Sequence, residues 1–100
     1  MKTTFREENQ NYVMTFEGRL DTLASLQVAK DMEVLYDCED HDIILDCTAL
    51  EYISSSGLRL FLDLLKKATV KGSHTIIVGL SKDLYEVFDE VGFISLFDIR

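Results

Sequence analysis

Asp46-Cys47-Thr48-Ala49-Leu50-Glu51-Tyr52-Ile53-Ser54-Ser55-Ser56-Gly57-Leu58 is the stretch on which the fold turns. It follows Ile43-Ile44-Leu45, a short apolar run bounded by acids. A run without alternation predicts a strand buried on both faces, as in a parallel sheet. It leads into Leu58, Phe61, Leu62 and Leu65, whose i, i+3, i+4, i+7 spacing predicts an amphipathic helix. Lys66 and Lys67 lie near the end of that helix, and Gly72 lies beyond it. The serines therefore join the carboxyl end of a parallel strand to the amino end of a helix, where open α/β sheets place their sites.

Working outward, Phe5 to Glu8 and Tyr12 to Glu17 flank Asn9-Gln10-Asn11, and Tyr12, Met14 and Phe16 alternate with Val13, Thr15 and Glu17. That period of two predicts an N-terminal β-hairpin. Gly18 breaks the second strand, and Asp21 or Thr22 is placed to cap a helix carrying Ala24, Val28, Met32 and Leu35 on one face and ending near Tyr36-Asp37. Beyond the central unit, Thr75 to Leu80 reads as a second continuous apolar strand. Ser81 caps a third helix with Asp83 in its first turn and Leu84, Val87, Phe88 and Val91 on one face, Gly92 ends it, and Phe93 to Ile99 reads as a last, weaker strand. The order ββαβαβαβ predicts an α/β fold with right-handed crossovers, a mostly parallel central sheet and an antiparallel hairpin at one edge. No linker, repeat or proline interrupts the chain, so residues 1–100 read as one domain.

Composition narrows the function. The 100 residues suffice for one modest core. A formal net charge of −8 argues against nucleic acid and anionic membrane surfaces and favours a protein partner with a basic face. The acidic surface does not demand self-association. The N-terminus lacks the apolar core of a signal peptide, and the most apolar stretch, Leu58 to Leu65, holds Arg59 and Asp63, so no membrane insertion is expected and the cytoplasm is the expected location. Cys38 and Cys47 lie in no C-x-x-C pair and near no His at a ligand spacing. They are read as two reduced thiols, with Cys47 in the core, and no metal or cofactor is expected.

The serine loop admits two readings from its residues. One Ser simply supplies a helix N-cap. Alternatively, the N–H groups and dipole of the helix N-terminus favour an anion, so a phosphate on one of these serines finds a partly compensated position. Asp46, at the strand end, is placed to bond loop amides. A hydrolase is disfavoured. The loop is not G-x-S-x-G, and His41 and His74 precede their strands, at the end of the sheet opposite the serines. There is also no P-loop and no G-x-G-x-x-G.

Asp46 to Leu58 resembles the signature of STAS domains, in which a D-L-S-x-L-x-Y-I-D-S-S-G-L type stretch joins strand to helix. Gly18-Arg19-Leu20-Asp21 is similar to that family's G-E-L-D segment, and Lys71-Gly72, Val87-Phe88 and Gly92 match the later part of the pattern. The resemblance spans essentially the whole chain. It implies an anti-sigma factor antagonist, not an enzyme, that binds an anti-sigma factor, often a serine kinase of the histidine-kinase-like ATPase type, and so frees a sigma factor. It implies phosphorylation at Ser55, reversed by a phosphatase, with Asp21, Ser54, Ser55, Ser56, Gly57 and Leu58 meeting the partner. Ser54 stands where the family usually has Asp. That departure leaves room for a non-phosphorylated STAS scaffold, such as a subunit of a lipid-transport ABC complex or of a signalling assembly.

Overall fold

A computed structural model describes all of residues 1–100. The hairpin is present as β1 (Lys2–Glu8) and β2 (Asn11–Leu20), paired antiparallel with Phe5 opposite Met14. Asn9 and Gln10 make the turn at φ 51° and 65°, in the left-handed region that Asn tolerates best after Gly. Helix α1 (Thr22–Asp31) follows, tightening into a 3-10 turn over Met32–Tyr36. Then come β3 (Asp42–Asp46), β4 (Leu50–Ile53), α2 (Ser55–Val70), β5 (Thr75–Val78), α3 (Lys82–Glu90) and β6 (Asp98–Ile99). Asp21, Ser54 and Ser81 cap the three helices, each accepting a backbone N–H three residues on.

The fold is the mixed α/β arrangement read from the sequence, with three local differences. First, β4 was not resolved as a strand in the sequence. It pairs parallel with the end of β2, so Asp46 of β3 lies opposite Thr15 while Leu50 lies opposite Gly18. Second, Phe93 to Phe97 form turns and only Asp98–Ile99 pair with β5. The Phe93 and Phe97 N–H groups bond the carbonyls of Phe88 and Phe93, so they are spent on local turns before any ladder begins. Third, β3 is not buried equally on both faces: Ile43 and Leu45 are buried while Ile44 is half-buried.

The strand order explains that asymmetry. It runs β1-β2-β3-β5-β6 without reversal. Right-handed crossovers that all step the same way put all their helices on one face. Met14, Phe16, Ile43, Leu45 and Ile77 point to that face and join one core with Val28, Phe61, Leu64 and Phe88. Val13, Ile44 and Ile76 form a register row on the other, helix-free face. In that row Arg6 lies opposite Val13 and its guanidinium reaches Thr15 Oγ1 at 3.4 Å.

Aromatic rings tie the core together. Phe61 of α2 packs 5.2 Å from Phe16 and 6.1 Å from Phe88, and Phe88 continues to Phe93 at 6.0 Å. The loop after β3 is held by backbone: the Cys47 N–H donates to the Val78 carbonyl at 2.9 Å. Gly79, at φ 78°, has to lack a side chain because a Cβ there would sit 2.1 Å from Thr48 Oγ1. Cys38 and Cys47 are buried free thiols, and burial pushes the Cys47 thiol up to about 12.

Two outcomes follow from this packing. Phe61→Ala should lower unfolding free energy by about 3–5 kcal/mol in a urea titration, since it empties the centre of the aromatic chain. Cys47 should resist a thiol reagent at neutral pH until the chain unfolds, since only the thiolate reacts. Native labelling of Cys47 at the unfolded rate would contradict the packing.

Candidate functional site at the start of helix α2

Two short segments, far apart in sequence, are stitched into one edge. Arg19 pairs with Tyr52 and Leu20 with Ile53, after a register shift between Gly18 and Arg19. The Gly18 N–H donates to the Ala49 carbonyl at 3.0 Å, and the Ser54 N–H donates to the Leu20 carbonyl at 2.8 Å. The immediate consequence is that α1 and α2 begin side by side. The Asp21 carboxylate accepts from the Ala24 N–H at 2.8 Å, and the Ser54 hydroxyl accepts from the Gly57 N–H at 3.2 Å.

Gly57 fixes how closely α2 approaches. A Cβ there would lie 2.8 Å from Leu20 Cγ and 2.9 Å from Ile53 Cγ1. Its role is close approach, in an ordinary helical conformation. Behind it, Leu58 is buried in the core.

The three serines are not equivalent. Ser54 is buried, Ser56 is half-buried and Ser55 is exposed. The Ser54 hydroxyl is occupied as the cap, so Ser55 offers the open hydroxyl at the first position of α2. The first turn of α2 contains no acidic residue. Asp46 does bond the loop: its carboxylate accepts from the Thr48 N–H at 3.0 Å.

Around Ser55 the surface is grooved. A depression of about 440 Å³ between α1 and α2 is lined by Ser25, Leu26, Ala29, Ser55, Ser56 and Arg59, among others. A smaller one of about 240 Å³ on the other side of α2 is lined by Ser55, Leu58, Arg59, Leu62, Val91 and Phe93. On α1, Leu23 is 78% exposed and Leu26 is 68% exposed. The Arg19 guanidinium lies 4.4 Å from the ring centroid of half-exposed Tyr52.

Sequence reasoning placed Asp21, Ser54, Ser55, Ser56, Gly57 and Leu58 at one locus, and the structure brings them to a single edge, with Leu58 and Gly57 turned inward. Sequence reasoning missed Leu23, Leu26 and Arg59. The signal for the leucines was available: they fall outside the Ala24, Val28, Met32 stripe and so had to face outward. The histidines are engaged at the other end of the sheet. His41 stacks on Tyr12 at 4.1 Å and bonds Glu7 at 3.0 Å, while His74 meets Asp42 at 3.3 Å. The His74 backbone N–H, chiefly, holds the Asp42 carboxyl below its ordinary value. No group of three His, Cys, Asp or Glu residues converges to hold a metal.

The STAS domain family model matches residues 2–100. BtrV of Bordetella bronchiseptica, provisionally named an anti-sigma factor antagonist, is 26% identical over 99% of this chain and 85% of its own length. The anti-sigma-B factor antagonist of Listeria monocytogenes is 25% identical over 95% of this chain and 84% of its own. The phosphorylated form of the Bacillus cell-fate determinant SpoIIAA superposes with a TM-score of 0.75 at 20% identity, over 99% of this chain and 91% of that one.

Stability measurements separate the roles of these residues. Gly57→Ala should cost about 1–3 kcal/mol, because Leu20 and Ile53 must move. Ser54→Ala should cost about 1 kcal/mol through the lost cap. Ser55→Ala should stay within about 0.5 kcal/mol of the native chain, since Ser55 packs against nothing essential. Thermal or urea unfolding of the three variants checks this order.

Proposed function

This chain belongs to the STAS domain family, and on that premise we propose that it is an anti-sigma factor antagonist whose Ser55 edge docks on an anti-sigma factor with serine-kinase activity. The observation that carries the reading is the exposure of Ser55 at the first position of α2, between Ser54, whose hydroxyl is spent on the cap, and the half-buried Ser56. Its accessibility and its place in the family motif both support Ser55 as the phosphate acceptor. The curated relatives with antagonist names support the partner class.

Residues 1–100 act as one docking unit in this reading. Leu23 and Leu26 supply exposed apolar area, and the α1–α2 groove supplies shape. Asp21 and Ser54 hold the two helix starts in place, Gly57 and Leu58 seat α2 against the sheet, and Ser55 and Ser56 face the partner. A net charge of −8 favours a partner with a basic face and disfavours nucleic acid. No helix is long and apolar enough to cross a membrane.

The chain is the substrate of the chemistry and not its catalyst. The kinase transfers the γ-phosphoryl group of ATP to Ser55 Oγ, ADP leaves, and the hydroxyl proton passes to the kinase's base. The product carries about −1.5 to −2 new charges at a helix N-terminus. That position tolerates anions, so the fold stays intact while the docking face gains charge and bulk where it offered a free hydroxyl. A phosphatase restores the face by hydrolysis. Ser54, where the family has Asp, favours a second reading, a fixed scaffold docking surface that is never phosphorylated.

Incubation with ATP and an anti-sigma serine kinase that binds this chain should add one phosphate, mapped by mass spectrometry to Ser55 and lost in Ser55→Ala. The phosphorylated chain should melt within a few degrees of the unmodified one. A tight complex with no labelling would instead support the scaffold. Ester turnover abolished by Ser55→Ala would overturn both in favour of a hydrolase.

A further inference from the structure

Arg59 is the one arginine of the chain left without a partner. Arg6 bonds Glu8 and Thr15, Arg19 lies over Tyr52, and Arg100 pairs with Asp98. Arg59 lies on α2 four residues after Ser55, so the two side chains share a helix face, with Cβ atoms about 5–6 Å apart. They are also the two residues common to both depressions that flank the start of α2.

Asp63, four residues further along and lining the same groove, is the competing partner. No ion pair joins it to Arg59, and helix electrostatics explain why it is the weaker choice. An anion four residues N-terminal to a cation complements the helix dipole, whereas the order Arg59–Asp63 runs the other way. A dianion on Ser55 has the favourable order, greater charge and three acceptor oxygens for a guanidinium fork. The first turn of α2 holds no acid to compete for Arg59. Ser54 matters here. A carboxylate at that position would be a second anion beside the phosphate, repelling it and drawing on the same cation. The neutral hydroxyl leaves Arg59 to the phosphate.

We infer that Arg59 is the internal counter-ion of a phosphate on Ser55, so that modification withdraws a free guanidinium from the docking face as it adds an anion. The partner then loses a positive contact in addition to meeting a negative one. Arg59 acts here as a positioning residue: it orients the phosphate along the helix and leaves phosphoryl transfer to the kinase.

This rests on Ser55 as the phosphate-bearing residue. The test installs phosphoserine at position 55 during synthesis of the full chain, so a chain that no kinase accepts still reports on the clamp. The second ionisation of phosphoserine, near pH 6 in isolation, is followed by phosphorus NMR in the native background, in Arg59→Gln and in Arg59→Lys. A paired guanidinium stabilises the dianion, so the native chain should titrate lower than Arg59→Gln by about 0.2–0.4 of a pH unit. Arg59→Lys should recover part of the shift, and high salt should shrink it. Arg59 is exposed and Gln suits a helix about as well, so all three chains should fold. Superimposable titrations of the native and Arg59→Gln chains would overturn the inference.

Discussion

The site depends on the backbone latch between β4 and the end of β2. Sequentially, Gly18 to Asp21 and Leu50 to Ser54 are separate segments. The bonds from Gly18 N to Ala49 O and from Ser54 N to Leu20 O make them one edge. From it, Asp21 launches α1 and Ser54 launches α2, and the two helix starts end up adjacent. Gly57 makes the latch possible, since any Cβ there would press on Leu20 and Ile53, the residues on its two sides. A slip of one residue between β2 and β4 would exchange inward and outward side chains and destroy the groove together with the exposure of Ser55.

The absence of a reversal in strand order gives the edge its character. Doubly wound sheets hold small ligands in the crevice where the order reverses. Here the order is monotonic, the helices share one face, and no such crevice forms. The serine loop lies at the carboxyl end of the strands, as the sequence predicts, but in no crevice. What stands there is an open rim with Ser55, exposed leucines and shallow grooves on both sides of α2. Such a rim suits a macromolecular partner better than an enclosed substrate.

Much of this was legible without coordinates because local chemistry agreed with the global fold. Tyr12, Met14 and Phe16 alternate onto the core, Asp21, Ser54 and Ser81 sit where helices start, and Gly72 and Gly92 follow helix ends at positive φ. What was not legible was set by long-range partners. Leu50-Glu51-Tyr52-Ile53 shows no alternation, since only its end residues are buried, and it becomes a strand because β2 outruns β3. Phe93 to Phe97 are apolar enough for a strand, yet Phe93 is drawn onto both Phe88 and Phe97, which suits turns. Ile43-Ile44-Leu45 reads the same for one covered face as for two, and only the order of crossovers decides between them. Arg59 has no sequence signature: its meaning comes from the side chains it does not touch.

In the proposed reading, phosphate on Ser55 governs docking without disturbing the fold, and the affinity of the two forms for the partner decides it. Titration calorimetry of the anti-sigma partner against the unmodified chain and the Ser55-phosphorylated chain should give a loss of about 100-fold or more, equal to about 2.7 kcal/mol. Equal dissociation constants for the two forms, with both folded, would rule out a phosphate-controlled docking face.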